Sequence, residues 1–103
     1  MGVDINKRKK CIQRIKRVNF RNFKKRQDAT RYLMDEMFMN KGISSAKLYK
    51  LIGIARNTFH KFLFERKDIT FEPLILMNRF ILEQYLRHNL IEEAERSNVI
   101  GHG

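Results

Sequence analysis

A chain of 103 residues is the size of one domain with a modest core and no room for an elaborate catalytic cleft, and an apolar fraction of 43% excludes a wholly disordered polypeptide. Lys and Arg outnumber Asp and Glu 22 to 11, a formal net charge of +11, which points to a polyanionic partner. No apolar run approaches the roughly 18 residues of a membrane span, and the single cysteine, Cys11, excludes an internal disulfide.

One proline, five glycines and little β-branched clustering indicate an all-α fold: a compact four- to five-helix domain carrying a basic N-terminal arm. The arm is residues 1–27, where eleven cations (Lys7, Arg8, Lys9, Lys10, Arg14, Lys16, Arg17, Arg21, Lys24, Lys25 and Arg26) face one acid, Asp4. Residues 28–103 are nearly neutral, with eleven basic and ten acidic side chains. Ile12, Ile15 and Val18 have helical spacing, with Asp4 or Asn6 as a cap, and Phe20 and Phe23 extend that face loosely. The expected arm is partly helical and fully ordered when docked or bound. Aromatics set among Arg and Lys suit stacking on unpaired bases, although such a pattern more commonly packs one apolar side on a core. Lys9 and Lys10 beside Cys11 would lower the thiol pKa; the bland reading is an incidental cysteine.

Asp28 is the expected N-cap of a helix from Ala29 to about Asn40 that ends at Gly42. Tyr32, Leu33, Met37 and Phe38 would face the core, and Arg31, Asp35 and Glu36 water. Met34, Met37 and Met39 read as adaptable packing.

The stretch from Ser44 to Phe62, SSAKLYKLIGIARNTFHKF, reads as two short helices, about 45–52 and 55–64, meeting at Gly53. Ser44 would cap the first, and Gly53 would take the left-handed backbone after its last turn. Leu48, Ile52, Ile54, Phe59 and Phe62 would clamp the two axes, leaving Arg56, Asn57, His60 and Lys61 outward as hydrogen-bonding and cationic groups suited to base edges.

After a polar turn from Glu65 to Asp68, Thr70 would cap a long helix with Pro73 in its first turn. Leu74, Met77, Ile81 and Tyr85 form one apolar stripe, while Leu76, Phe80, Leu82 and Leu86 spill onto other faces. That surplus implies a homodimer interface of Leu76, Phe80, Leu82, Leu86 and Leu90. Failing a second chain, the helix would bury it under the arm, with Ile12, Ile15 and Phe23 as cover. His88 and Asn89 suggest a break before an amphipathic tail that carries Leu90, Ile91 and Ala94, and His88 and His102 stand alone.

From about Ala29 to Leu82 this order of elements resembles the lambda-repressor-like helix-turn-helix family of phage repressors and Cro-type proteins. The resemblance implies base contacts at Ala55, Arg56, Asn57, His60 and Lys61, and phosphate contacts at Ser45, Arg66 and Lys67. Tyr49 departs from the family, which has a small residue at the closest approach of the two helices.

The expected function is a sequence-specific double-stranded DNA-binding regulator, a dimeric repressor of phage or plasmid type. The arm would add phosphate contacts from Lys7, Arg8, Lys9, Lys10, Arg14, Arg17, Arg21, Lys24, Lys25 and Arg26. The alternatives are a small inhibitor that uses the scaffold to bind a protein, and an RNA-binding protein acting through the arginine-rich arm. No catalysis, metal or cofactor is expected, because no histidine or cysteine sits in a catalytic or ligand pattern. The N-terminus lacks the apolar core of a secretory signal, so a cytoplasmic or nucleoid-associated location is expected.

Overall fold

A computed structural model of the chain describes the backbone of residues 4–41 and 44–100 and the side chains of residues 4–37 and 44–87. These residues form five α-helices and no strand: α1 (Ile5–Lys16), α2 (Phe23–Lys41), α3 (Ser45–Ile52), α4 (Arg56–Leu63) and α5 (Phe71–Ile100). Gly42 and His102, and the side chains of Phe38, Met39, His88, Leu90, Ile91 and Ala94, lie outside the described residues.

The N-terminal segment is built into the core. Asp4 caps α1 by accepting a hydrogen bond from the Lys7 N–H at 3.0 Å. The helix then buries Cys11 and Ile15 in the same cluster as Leu33, Ile81 and Tyr85, with Ile12 and Val18 packed at its edge. Burial pushes the Cys11 thiol above its usual pKa, ahead of the opposing pull of Arg14 and Lys7. The lowered pKa expected from Lys9 and Lys10 is thereby corrected. Those two side chains point to solvent.

Helix α2 begins at Phe23, ahead of the expected cap Asp28, so the division at 27/28 falls inside it. Its start is prepared by two asparagines. Asn19 Oδ1 accepts from the N–H groups of Arg21 and Asn22, while Asn22 Oδ1 accepts from the Asn19 N–H and Asn22 Nδ2 donates to the Arg17 carbonyl. The Asn22 carbonyl accepts the first helical bond, from Arg26. Asp28 does not cap; its carboxylate takes the Arg31 guanidinium one turn on, at 2.8 Å.

Two residues of α2 expected in water are buried instead. Arg31, 7% exposed, donates from Nε to the Phe62 carbonyl at 2.8 Å and from Nη2 to the Lys67 carbonyl at 3.2 Å, with its guanidinium 4.3 Å from the Phe62 ring centre. Glu36 accepts from both Arg8 and the Tyr85 hydroxyl through Oε1, joining α1, α2 and α5. Burial first, and then this carboxylate, hold the Tyr85 phenol far above its usual pKa. Gln27 works like a piece of backbone, donating to the Ile69 carbonyl and accepting from its N–H, both at 2.8 Å. Thr30 donates to Asn78 Oδ1 at 2.6 Å. None of these pairings is local, which is why a 3.6-residue pattern assigns Arg31 and Glu36 to the surface.

The expected inward stripe of α5, Leu74, Met77, Ile81 and Tyr85, is buried throughout. The helix itself does not break at His88 and Asn89 but continues to Ile100. Neither residue is a helix breaker, and no Pro or Gly follows before Gly101. Of the five positions assigned to a dimer seam, the four whose side chains are described differ in exposure. Phe80 and Leu82 are half-buried against the core and lie about 160° apart around the helix, while Leu76 and Leu86 are exposed. Arg79 and Glu83 reach solvent between the two flanks. Helix α1 packs against α5, and its Ile12 and Ile15 belong to the same cluster as Phe80 and Leu82.

Deletion of residues 1–21 therefore removes Cys11 and Ile15 from the core and Arg8 from Glu36. Loss of a buried aliphatic side chain costs roughly 2–5 kcal/mol, and stripping a buried carboxylate of its cation about 3–5 kcal/mol. A small domain holds about 5–15 kcal/mol in all. The truncated chain is expected to lose cooperative unfolding in urea at 25 °C, followed by circular dichroism. A sharp transition within 1 kcal/mol of the full chain, about the error of such a comparison, would show α1 to be dispensable.

Candidate nucleic-acid interface

Helix α3 (Ser45–Ile52) and helix α4 (Arg56–Leu63) lie on either side of Gly53. Ser44 Oγ accepts from the Lys47 N–H at 3.3 Å, and Gly53 follows α3 with φ +86° in the left-handed region. The Gly53 N–H then donates to the Tyr49 carbonyl at 3.0 Å. Leu48, Ile52, Phe59 and Phe62 are buried between the two helices and α2 and α5, with Ile54 packed at their margin. Tyr49 is half-buried against the core with its ring 6.1 Å from that of Phe59.

The clamp leaves one face of α4 outward. Arg56, Asn57, His60 and Lys61 are all exposed, as is Ala55, the N-cap residue, which supplies no side-chain capping bond. Arg56 and Lys61 have no acid within ion-pair distance among the described residues, and Lys47 and Lys50 on α3 are exposed in the same condition. Sequence reasoning missed Phe64, which ends the same outward stripe at 56% exposure with its ring 5.0 Å from the His60 imidazole. Its position seven residues after Asn57, two helical turns on, was the available signal.

Other residues assigned to the interface have partners within the domain. His60 Nδ1 lies 3.5 Å from Glu65, and Lys67 Nζ lies 3.2 Å from the same carboxylate. The Lys67 hydrogen bond chiefly, with a smaller pull from His60, holds the Glu65 carboxyl below its usual range. Arg66 takes a left-handed backbone, φ +57°, and pairs with Asp35 at 2.9 Å. Arg8 is spent on Glu36, and the Lys7 ammonium sits 4.5 Å above the Tyr32 ring centre. Ser45 is half-buried in the first turn of α3.

The remaining cations of the N-terminal segment form an exposed ridge. Lys9, Lys10, Arg14 and Arg17 lie along α1 and its cap, Arg21 lies in the turn, and Lys24 and Lys25 lie in the first turn of α2, with Arg26 half-buried behind them. Because α1 is docked, these charges are fixed in place and are not carried on a free tail. Between α1 and the loop after α4 runs a groove of about 260 Å³ floored by Asp28, Tyr32 and Asp35, with Lys7 and Arg14 on one wall and Arg66 on the other. Among the described residues no group of three His, Cys, Asp or Glu side chains could hold a metal ion, and no helix is long and apolar enough to cross a membrane. Comparison of the chain with protein-family models, with curated proteins and with solved structures returns no match.

The crossing of α3 and α4 depends on the backbone at Gly53. A Cβ built there has no atom within 4 Å, so any cost of substitution is conformational and not steric. Gly53→Ala is expected to cost about 1–2 kcal/mol in urea unfolding, Gly53→Val more, and Gly53→Asn less than Ala. Equal losses for all three would contradict a backbone origin.

Proposed function

We propose that the chain is a sequence-specific double-stranded DNA-binding regulator that enters the major groove with α4. The observation that carries this reading is the outward face of α4, where Arg56, Asn57 and Lys61 project with no acid partner from a helix whose opposite side is buried. Arginine pairs bidentately with guanine and asparagine with adenine, while lysine serves either a base or a phosphate. The N–H groups at the start of α4 lack a side-chain cap, which suits a phosphate beside the groove. Lys47 and Lys50 would add phosphate contacts from α3. His60, Arg66 and Lys67 join only after giving up or sharing Glu65 and Asp35, so they belong to the frame more than to the readout.

A phage- or plasmid-type repressor acts on paired half-sites, and the proposal includes a homodimer through the exposed flank of α5. One observation favours a different reading, in which the same face binds a protein: Phe64 places an exposed aromatic ring among the polar groups of α4. Against DNA its ring would meet a thymine methyl.

The two readings separate on Arg56→Ala. For DNA readout the loss is ~1–3 kcal/mol on the preferred site, selected from random duplexes, and much less on random DNA. Equal losses on both would demote Arg56 to a phosphate contact, and an absence of any preferred site would favour a protein partner.

Assembly is tested at Leu86, which is 58% exposed, and not at Leu82, which the core half-covers. Leu86→Lys is expected to leave unfolding midpoints within about 0.5 kcal/mol, as for ordinary surface changes. It should shift the molecular mass by sedimentation from dimer to monomer and weaken operator binding. A wild-type chain that is monomeric at operator-saturating concentration would remove the dimer from the proposal.

A further inference from the structure

The turn between α1 and α2 presents a second surface, remote in sequence from α4. Phe20 is 74% exposed at its tip, yet its ring is held, 5.9 Å from Phe23 and 5.6 Å from Phe71 between ring centres. Phe23 and Phe71 are themselves 5.7 Å apart and nearly perpendicular, so the three rings form one rigid aromatic group. The asparagine pair at positions 19 and 22 fixes the backbone that carries Phe20. Beside the rings opens a largely apolar groove of about 580 Å³, within the range of small-molecule sites, closed on its far side by Asp68 and Glu72.

The charge around it is sorted. Arg17, Arg21, Lys24 and Lys25 are exposed within five residues of Phe20 in the chain, Lys24 on the lining of the groove itself, and none has an ion-pair partner among the described residues. The first turn of α2 contains no acid, so Lys24 and Lys25 sit at the positive end of their own helix, where a cation is disfavoured. An anion placed there relieves that repulsion. The Asp68 and Glu72 wall repels phosphate and accepts N–H groups, which confines a phosphate backbone to the Arg/Lys side and turns the edge of a base toward the acids.

We propose that this turn is a single-stranded nucleic-acid site, in which an unpaired base stacks on Phe20 and the flanking phosphates lie on Arg17, Arg21, Lys24 and Lys25. A paired base cannot present its face to Phe20, so the site discriminates against duplex. It therefore acts independently of the α4 face. DNA and RNA single strands share this chemistry, and the groove alone does not select between them.

The chain contains no tryptophan, so Phe20→Trp places a sole reporter on the platform. Fifteen-residue oligothymidylate and oligouridylate are the probes, with a duplex of equal length and heparin as the base-free polyanion. The expected result is saturable quenching by one or both single strands, about tenfold tighter than by duplex, and no quenching by heparin. Phe20→Ala, at a position too exposed to disturb the core, should weaken single-strand binding by about tenfold in full-length protein. Phe20→Tyr should restore it. Duplex binding sensitive to Arg56→Ala should remain unchanged in both, so loss of either site is seen separately. Comparable affinity of Phe20→Ala and wild type, or quenching by heparin, would reduce the ridge to general charge and overturn the site. Quenching that follows protein concentration without any probe would assign the rings to self-association and overturn it equally.

Discussion

The guanidinium of Arg31 connects more of this molecule than any other single group. It reaches from α2 to the Phe62 carbonyl near the end of α4, to the Lys67 carbonyl in the loop beyond, and to the Asp28 carboxylate, with its flat face over the Phe62 ring. A lysine could not replace it, because one ammonium cannot serve separated acceptors in a plane while stacking on an aromatic face. Carbonyls at a helix end have no partner within the helix; here the Phe62 carbonyl is satisfied by a side chain from a different element, while those of His60 and Lys61 accept backbone N–H groups from the residues that follow. The orientation of α4 is therefore set at both ends: by the Gly53 turn before it and by Arg31 behind it.

This arrangement divides the cations of a strongly basic chain into two populations. Arg8, Arg31, Arg66 and Lys67 face carboxylates and organise the domain. Arg56, Lys61, Lys47, Lys50 and the ridge from Lys9 to Lys25 have no such counterweight among the described residues and create the external field. Net charge alone describes neither group. Arg31 is itself buried and Arg8 partly so, whereas Arg66 and Lys67 pair at the exposed surface and are weakened by salt as the outward charges are.

The apolar skeleton of the fold was legible because it is periodic. Leu48, Ile52, Phe59 and Phe62 around a single glycine, and Leu74, Met77, Ile81 and Tyr85 along α5, sit at helical intervals among polar neighbours, and all are buried. The outward direction of Arg56, Asn57, His60 and Lys61 follows from the same phase. The N-terminal segment was not legible in this way. Among the described residues its buried apolar side chains are Cys11 and Ile15, set among eleven cations that dominate any windowed average. Nor could Arg31, Glu36 and Gln27 be recognised as interior, since each is buried only by virtue of partners 28 to 49 residues away. The start of α2 was misplaced for a chemical reason: Asp28 resembled a cap, while the true initiation lay in the Asn19–Asn22 exchange upstream.

The long polar ties of α2 run forward in the chain, Gln27 to Ile69, Thr30 to Asn78, Arg31 to Phe62 and Glu36 to Tyr85, with one exception, the pairing of Glu36 with Arg8. A growing polypeptide emerges from the ribosome N-terminus first, at about 5–20 residues per second. Until Tyr85 has cleared the exit, the Gln27 amide, the Thr30 hydroxyl and the Arg31 guanidinium wait for partners further along the chain, and Glu36 holds only Arg8 of its two partners. The first half of the molecule consequently completes its packing only with the second, and its exposed cations are displayed on an unfinished chain for several seconds of each synthesis. During that interval its charges are close to the most concentrated polyanion in their surroundings, the ribosomal RNA itself.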